Sequence, residues 1–324
     1  MEKIKFIDLF CGIGGFRVAM DEACRENNLI PDCVFSADID PFCQDSYEAN
    51  FGHRPAGDIT KVQEKEVPNH DILFAGFPCQ PFSIIGQMQG FNDIRGTLFF
   101  DIARIIKHKK PKAFILENVK QLVGHNNGKT LKTILKTLKN LGYDVHYTVL
   151  NALDYGLPQK RERVIIVGHR EPIYFSYPAP VRPFKPLSES LEKRVDKKHF
   201  ASDYIKKRRK DKHKSAYKLS IWHENKAGNI CSYPYSCALR AGASYNYLLV
   251  NGERRLTPRE MFRLQGFPDS YKIVVNDSQA RKQAGNAVPV NIVKAVILKL
   301  LPYVATTMDM TSVLREYEVE YGKR

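Results

Sequence analysis

The segment KFIDLFCGIGGFRVAMDEACREN, residues 5–27, passes from an apolar run through a glycine-rich turn into a helical pattern. A short, continuous apolar run is typical of a strand that is covered on both faces. Gly12, Gly14 and Gly15 allow a tight turn that brings a ligand against the N-terminus of the next helix. The segment therefore predicts the first strand–turn–helix unit of an α/β domain.

Further strand-like runs, separated by helical patterns, occupy the rest of the first 170 residues. They are CVFSAD (33–38), DILFAG (71–76), KAFILEN (112–118), VHYTVL (145–150) and RVIIVG (163–168). This alternation predicts a doubly wound, mostly parallel sheet with helices on both faces. The glycine turn is not the dinucleotide fingerprint, because Arg17 stands where the third glycine of that pattern belongs.

The alternation ends in the proline-rich segment EPIYFSYPAPVRPFKP, which reads as a linker. We predict a first domain over residues 1–179, completed by residues 285–324. The basic, aromatic region 180–257 is predicted to be a second, smaller domain. Residues 258–284 are then a hinge between the second domain and the end of the chain.

The composition excludes several classes of protein. The chain contains no run near the roughly 18 apolar residues of a membrane span and no secretory pattern at its start, so we expect a soluble intracellular protein. Its seven cysteines form no C-x-x-C pair, which argues against a disulfide framework and a zinc ribbon. We predict no metal site.

Positive charge is concentrated in one segment. Residues 193–218 hold 12 Lys and Arg against 3 Asp, in a chain whose net charge is +15. Such a block is expected of a protein that binds nucleic acid, although a solvated protein face has the same composition. Charge alone does not distinguish DNA from RNA.

Acidic residues follow two of the predicted strands. Asp38 ends the second run, where a carboxylate can accept hydrogen bonds from ribose hydroxyls. Asp58 lies in the next loop, where its carboxylate can accept a hydrogen bond from an adenine amino group. Because strand carboxyl ends meet at one edge of an open sheet, these side chains suit an adenosine without pyrophosphate, such as S-adenosylmethionine. An isolated aspartate at a strand end is more often a helix cap.

The run DILFAGFPCQPFS, residues 71–83, places Cys79 at a strand end between Pro78 and Pro81. A buried structural thiol is the ordinary role of cysteine, but two flanking prolines restrain the backbone and fix the direction of the sulfur. Glu117 ends the next apolar run, and poor solvation there raises the pKa of a carboxyl. The pair predicts a nucleophile and an acid.

Together these groups fit a reaction at C5 of cytosine, which is by itself a poor nucleophile. A thiolate from Cys79 that adds to C6, with Glu117 protonating or hydrogen-bonding N3, turns C5 into an enamine carbon that can take a methyl group. Arg161 and Arg163 are candidates for the positive charge that a thiolate needs.

The sequence resembles the C5-cytosine DNA methyltransferases of bacterial restriction–modification type. The matching motifs follow the order of that family along nearly the whole chain. They are FIDLFCGIGGF (6–16), GFPCQPFS (76–83), ENV (117–119), QKRERV (159–164), RRLTPREMFRLQGFPDSY (254–271) and QAGNAVPV (283–290).

The resemblance implies a Rossmann-like, S-adenosylmethionine-dependent methyltransferase domain with Cys79 as the nucleophile and Glu117 as the partner of N3. Arg161 and Arg163 are then the supporting catalytic arginines. The implied residues around S-adenosylmethionine are Phe10, Gly12, Ile13, Gly15, Asp38, Ile39, Asp58, Ile59, Pro78, Leu98, Asn286 and Ala287.

The resemblance also implies a target cytosine that is flipped out of double-stranded DNA, with region 180–257 as the target-recognition domain. The Lys/Arg block then contacts phosphates, and base reading falls to the stretch 232–247. Ala238-Leu239 stands where the family often shows Thr-Leu. The implied DNA-binding residues are Gln80, Ser83 and Arg95 in a closing loop, and Arg240 and Asn246 in the second domain.

Such a protein is expected to act as a monomer in the bacterial cytoplasm and to protect host DNA from a cognate restriction endonuclease. Two alternatives remain at this point. A transfer-RNA cytosine methyltransferase of the same fold usually carries a C-F-T tripeptide, which this sequence lacks. A catalytically silent DNA-binding protein on this scaffold is expected to lack the nucleophile or the acid, whereas this sequence has both Cys79 and Glu117.

Overall fold

The computed structural model describes residues 1–78, 98–171, 173–181 and 183–306. The strands are β1 (Lys3–Leu9), β2 (Ile30–Ala37), β3 (Ile72–Gly76), β4 (Ala113–Val119), β5 (Asp144–Asn151), β6 (Gln159–Lys160), β7 (Glu162–His169), β8 (Ile221–Glu224), β9 (Ile230–Tyr233), β10 (Ser236–Cys237) and β11 (Leu248–Val250). The helices are α1 (Gly15–Glu26), α2 (Pro41–Phe51), α3 (Leu98–Lys109), α4 (Lys129–Asn140), α5 (Leu187–Ser190), α6 (Asp203–Lys212), α7 (Pro258–Leu264), α8 (Asp277–Asn286) and α9 (Val290–Val304).

The central sheet has six strands in the order β2-β1-β3-β4-β7-β5. β1 to β4 pair in parallel, whereas β7 runs antiparallel to both β4 and β5. The predicted α/β class with a mostly parallel sheet is confirmed, and each predicted run overlaps one of these strands and extends at most one residue beyond it. β7 is reversed because residues 152–161 join it to β5 without a crossover helix, and parallel neighbours need a dozen or more connecting residues.

Apolar side chains cover both faces of this sheet. Successive residues of a strand point to opposite faces, so Phe6 and Ile7 of β1 belong to separate clusters. Phe6 packs in the cluster that contains the buried faces of α1 and α9, and Ile7 in the one that contains α3 and α4. The two-sided cover explains why the strands are continuous apolar runs, and it includes the buried face of α9 near the end of the described chain.

The region between the linker and α7 contains a small antiparallel sheet in the order β11-β8-β9. β10 pairs instead with β6, which brings residues 236–237 alongside the chain that leads into β7. α7 begins at Pro258, a residue that is common at the first position of a helix. The side chain of its N-cap, Thr257, accepts a hydrogen bond from the backbone N–H of Glu260. The division into domains and a hinge stays a prediction.

Among the described residues, the stretch Asp277–Val304 is long and apolar enough to span a membrane by length and composition alone. In this protein 61% of its most apolar window is buried. Core helices pass the same test, and the inner face of α9 lies in the hydrophobic core.

Candidate active site

A cavity of about 900 Å³ opens at the carboxyl ends of β1 to β4 and is closed by the junction of α8 and α9. Its position agrees with the general rule for ligands of open α/β sheets. All the described residues that the sequence assigned to cofactor and catalysis line it. They are Phe10, Gly12, Ile13, Gly15, Asp38, Ile39, Asp58, Ile59, Pro78, Leu98, Glu117, Arg161, Arg163, Asn286 and Ala287.

The turn after β1 has an unusual backbone. Phe10 and Gly12 both have a left-handed φ, 55° and 53°, which only glycine adopts without strain. Gly15 is needed for a different reason, because a Cβ there would lie 2.6 Å from Cγ2 of Val288. The turn therefore fits closely against the segment that precedes α9, and the space beside Gly12 stays open to the cavity.

Asp38 holds this turn in place. Its carboxylate accepts hydrogen bonds from the backbone N–H groups of Gly12 at 2.7 Å and Asp40 at 2.9 Å. Burial raises its pKa, and these two hydrogen bonds oppose that shift. Ile39 beside it lines the cavity and leaves 73% of its surface exposed.

Asp58 lies across the same end of the cavity and is the N-terminal cap of a short 3₁₀ turn. Its Oδ1 accepts hydrogen bonds from the backbone N–H and the hydroxyl of Thr60, which lower its pKa. The cap that sequence reasoning kept as an alternative is therefore present. The hydrogen bonds of the cap use Oδ1 of Asp58, and the side chain remains on the cavity wall.

Glu117 occupies the opposite end of the cavity, near the end of β4. Its Oε1 lies 2.8 Å from Nε of Arg163, and both side chains are largely buried, 10% and 13% exposed. Burial raises the pKa of Glu117, while the charges of Arg163 and Arg161 oppose that rise. The predicted poor solvation of this carboxyl is confirmed.

The reversed direction of β7 brings Arg163 to Glu117. In the antiparallel pairing of β4 with β7, Val119 lies opposite Arg163 and Glu117 opposite Ile165. The start of β7 therefore meets the carboxyl end of β4, at the edge where the cavity lies. A parallel β7 would have its start at the other edge of the sheet.

Asn118 ties the segment before Cys79 to β4, a role that sequence reasoning missed. Its side-chain amide is buried and donates a hydrogen bond to the carbonyl oxygen of Phe77 at 2.9 Å. Pro78 follows Phe77 on the cavity wall and directly precedes Cys79. The only sequence signal was the position of this asparagine, directly after Glu117.

Arg161 is completely buried and binds backbone rather than a carboxylate. Its guanidinium donates to the carbonyl oxygens of Leu239 at 2.8 Å, Gly285 at 2.9 Å and Ala287 at 2.8 Å. These hydrogen bonds join the second region to the α8–α9 junction. Sequence reasoning grouped Arg161 with the catalytic residues, and its observed contacts are those of a residue that holds the cavity wall together.

Two buried glutamines support the same junction and were not found from the sequence. The amide of Gln159 donates to the carbonyl of Leu264 at 2.7 Å and accepts from the N–H of Leu239 at 3.0 Å. Gln265 donates to the carbonyl oxygens of Ala284 and Ala287. Buried amides that are satisfied in this way fix the relative position of the chains they join.

We expect Gly285→Ala to lower turnover by roughly tenfold or more, because shifts of about 1 Å at a catalytic site cost up to about 100-fold. A Cβ at this position would lie 2.3 Å from N of Ala241 and 2.6 Å from C of Arg240, so the backbone must move. Steady-state kinetics against Gly242→Ala, where a Cβ meets nothing within 4 Å, provides the check. Equal kinetics for the two variants would contradict the close packing inferred here.

The two DNA-reading candidates of the second region lie in different surroundings. Arg240 lines the cavity, with its guanidinium carbon 5.1 Å from the ring centroid of Tyr247. Asn246 is not part of the cavity lining; its side-chain oxygen accepts from Arg255 at 3.3 Å, and its backbone oxygen accepts from Arg209. Base reading by either residue stays a prediction.

Arg209 belongs to the Lys/Arg block, which is expected mostly to contact phosphates, but it is not accessible to DNA. Its side chain is fully buried in α6 and pairs with Glu224 of β8 at 3.0 Å. Arg208 pairs with the same carboxylate, and Lys210 with Glu253. The sequence showed the positive charges but not these distant partners, which engage part of the block within the protein.

Cys79, Gln80, Ser83 and Arg95 lie outside the described residues, as does the proposed closing loop 80–96. Their roles rest on the sequence and on the described residues at their two ends, Pro78 and Leu98, which both line the cavity.

Comparison with known proteins now decides the family. Residues 4–301 match the family described as C-5 cytosine-specific DNA methylase. The chain belongs to this family. The resemblance identified from the motifs is confirmed, and the protein is a DNA (cytosine-5-)-methyltransferase that uses a methyl donor of the S-adenosylmethionine type.

Close relatives cover almost the full length of the chain. A type II methyltransferase of Neisseria gonorrhoeae, M.NgoBI, is 54% identical over 294 residues, which are 90% of this chain and 91% of the relative. M.HaeII, a type II methyltransferase of Haemophilus aegyptius, is 52% identical over 299 residues, 91% and 92% of the two chains.

Solved structures agree on the architecture. The Dnmt2 methyltransferase of S. pombe superposes with a TM-score of 0.72 at 21% identity and covers 92% of this chain and 98% of its own. A putative DNA modification methyltransferase from an E. coli prophage gives a TM-score of 0.70 at 19% identity, covering 93% and 99%. At this identity the similarity shows the fold alone, and the fold is that of the C5 methyltransferases.

Proposed function

We propose that the enzyme transfers a methyl group from S-adenosylmethionine to C5 of a cytosine within a specific double-stranded DNA sequence, through a bond between Cys79 and C6. One observation carries the proposal. A single cavity contains the buried Glu117–Arg163 pair at one end, acidic groups suited to adenosine at the other, and Pro78 directly before the nucleophile.

The residues of the cavity fit S-adenosylmethionine. Asp38 and Asp58 can accept from ribose hydroxyls and an adenine amino group, and carboxylates tolerate a sulfonium cation where they would repel a pyrophosphate. Exposed Ile39 and strained Phe10 offer apolar surface for the adenine, and Gly12 leaves room for close approach. The donor supplies the electrophilic methyl group when it is bound there.

The protein's own side chains supply the activation of the base. The Cys79 thiolate forms a bond to C6, and Glu117 gives a proton or a hydrogen bond to N3, so that C5 gains the electron pair it needs. Arg163 holds the carboxyl of Glu117 at 2.8 Å and limits its rotation. After methylation, C5 loses its proton to a base, and the C6–S bond breaks with its electrons returning to sulfur. Any proton given to N3 returns to Glu117, so that the aromatic ring is restored and the thiolate is free.

C6 of a stacked cytosine is out of reach of a side chain, so the base has to be flipped from the duplex into the cavity. We assign the contact with the duplex to region 180–257, where Arg240 reaches the cavity wall. The names of the close relatives support a role in a type II restriction–modification system. We extend the proposal to a cytoplasmic monomer that protects DNA from a cognate endonuclease.

Trapping on fluorinated DNA tests this function. With S-adenosylmethionine and a pool of random duplexes that contain 5-fluorocytosine, we expect a stable adduct at Cys79, because fluorine cannot leave C5 as a cation. Sequencing of the trapped duplexes should show one enriched site. Cys24 and Cys237 are poor competitors, since burial raises the pKa of Cys24 to about 12 and that of Cys237 to about 11.

Mass spectrometry of the adduct gives the modified residue, and an unfluorinated pool is the control that should turn over without trapping. An adduct at another cysteine would reject the assignment of Cys79. Trapping on 5-fluorocytosine transfer RNA but not on DNA would reject the DNA substrate in favour of the transfer-RNA alternative.

A further inference from the structure

Two histidines and an aspartate meet at the end of the sheet opposite the cavity. Asp144 and His146 lie on one face of β5, and the register of β5 with β7 places Asp144 opposite His169. One ligand atom from each side chain lies within 4.8 Å of the other two. Arg163 and His169 are at opposite ends of β7, so this cluster is roughly 20 Å from the catalytic arginine.

His169 presents a lone pair that the described residues do not use. Its Nδ1 lies 2.8 Å from the carbonyl oxygen of Glu171, and since a carbonyl only accepts, Nδ1 carries the proton. Nε2 is then the unprotonated nitrogen of the neutral ring; it is buried and has no hydrogen-bond partner among the described residues. The side chain is only 3% exposed, so an unused buried nitrogen needs an explanation.

The other two groups face this nitrogen. Oδ2 of Asp144 lies 3.9 Å from Nε2 of His169, too far for a hydrogen bond, and 3.2 Å from Nε2 of His146. Two ligands at 2.0–2.2 Å from a tetrahedral zinc ion are roughly 3.3–3.6 Å apart. The separations of Oδ2 of Asp144 from the two histidine nitrogens are therefore close to those of ligands around one metal ion.

The surroundings also match those of metal-binding histidines. A histidine that binds a metal usually donates its other ring N–H to a carbonyl or carboxylate, as His169 does to Glu171. The ring of His146 stacks on that of His169 with centroids 5.4 Å apart, and Phe175 packs against both. These contacts hold the two rings in position before an ion arrives.

We propose that Asp144, His146 and His169 bind one divalent transition-metal ion, with zinc as the best match to two imidazoles and a carboxylate. The sequence shows no metal motif, because His169 is distant in the chain from Asp144 and His146, and only the pairing of β5 with β7 brings it beside them. The ion would join the edge strand β5 to β7. Its function is structural, since the cluster is remote from the cavity.

Calorimetric titration of the tag-free full-length enzyme with Zn²⁺ tests the proposal. We expect one equivalent of Zn²⁺ to bind to the wild type, and affinity at least about tenfold weaker in His146→Ala and Asp144→Asn. The side chains of His146 and Asp144 are 35% and 55% exposed, so these substitutions leave the core intact. All seven cysteines remain in each variant, so any binding by thiols is common to every titration.

His108→Ala on α3 removes an exposed histidine outside the cluster and should bind Zn²⁺ as the wild type does. Zn²⁺ should also raise the unfolding temperature of the wild type and of His108→Ala but not that of His146→Ala. Methyl transfer should be the same in all variants. Identical isotherms for wild type and His146→Ala, or no binding by the wild type, would overturn the proposal.

Discussion

Cys79→Ser is expected to lower kcat by on the order of 10⁴-fold or more, as removal of a catalytic nucleophile does. A serine hydroxyl is hardly ionised near neutral pH, so no nucleophile reaches C6 and C5 is not activated. The binding of S-adenosylmethionine and of the recognised duplex should persist, because neither depends on the sulfur. Single-turnover methyl transfer to tritium-labelled product, with calorimetry for donor binding, measures both.

Cys231→Ser is the matched control, because it removes a partly exposed thiol from β9, away from the cavity. We expect its turnover to equal that of the wild type. Normal turnover by Cys79→Ser would eliminate the covalent mechanism. Loss of donor binding together with turnover would instead assign Cys79 to the cofactor site.

Glu117→Gln is expected to reduce kcat by about 10²- to 10⁴-fold, the usual contribution of a positioned acid. The amide oxygen of glutamine can still accept the hydrogen bond that Arg163 makes to Glu117 at 2.8 Å. The amide cannot transfer a proton to N3. Glu162→Gln is the matched control: this glutamate of β7 pairs with Lys120 at 2.8 Å, and its loss should leave turnover unchanged.

The pH dependence separates the role of Glu117 as an acid from a purely structural one. Burial raises its pKa, so the protonated form persists to a pH above the usual range of glutamate. Activity that depends on this proton is complete below the raised pKa and falls as the pH rises through it. The residual activity of Glu117→Gln should lack that alkaline fall, and an unchanged profile in the variant would argue against the acid role.

The candidate site was predictable from the sequence where its proposed reactive residues belong to short motifs. Cys79 between two prolines, Glu117 at the end of an apolar run and the glycines after β1 each carry a local signal. Asn118, Gln159 and Gln265 carried none, because an amide is conspicuous only when its burial and its partner are known. For the same reason the sequence counted Arg209 as a surface charge, although Glu224 holds it in the interior.

By itself, the sequence determined the α/β class and the family and supplied the candidates for the reacting groups, because apolar periodicity and motif spacing are properties of neighbouring residues. Tertiary structure alone decided the direction of β7, and with it both the meeting of Arg163 with Glu117 and the meeting of His169 with Asp144. It also showed that Arg161 binds backbone carbonyl groups of the cavity wall. Contacts of this kind join residues far apart in the chain, and they depend on strand register and burial, which no local pattern encodes.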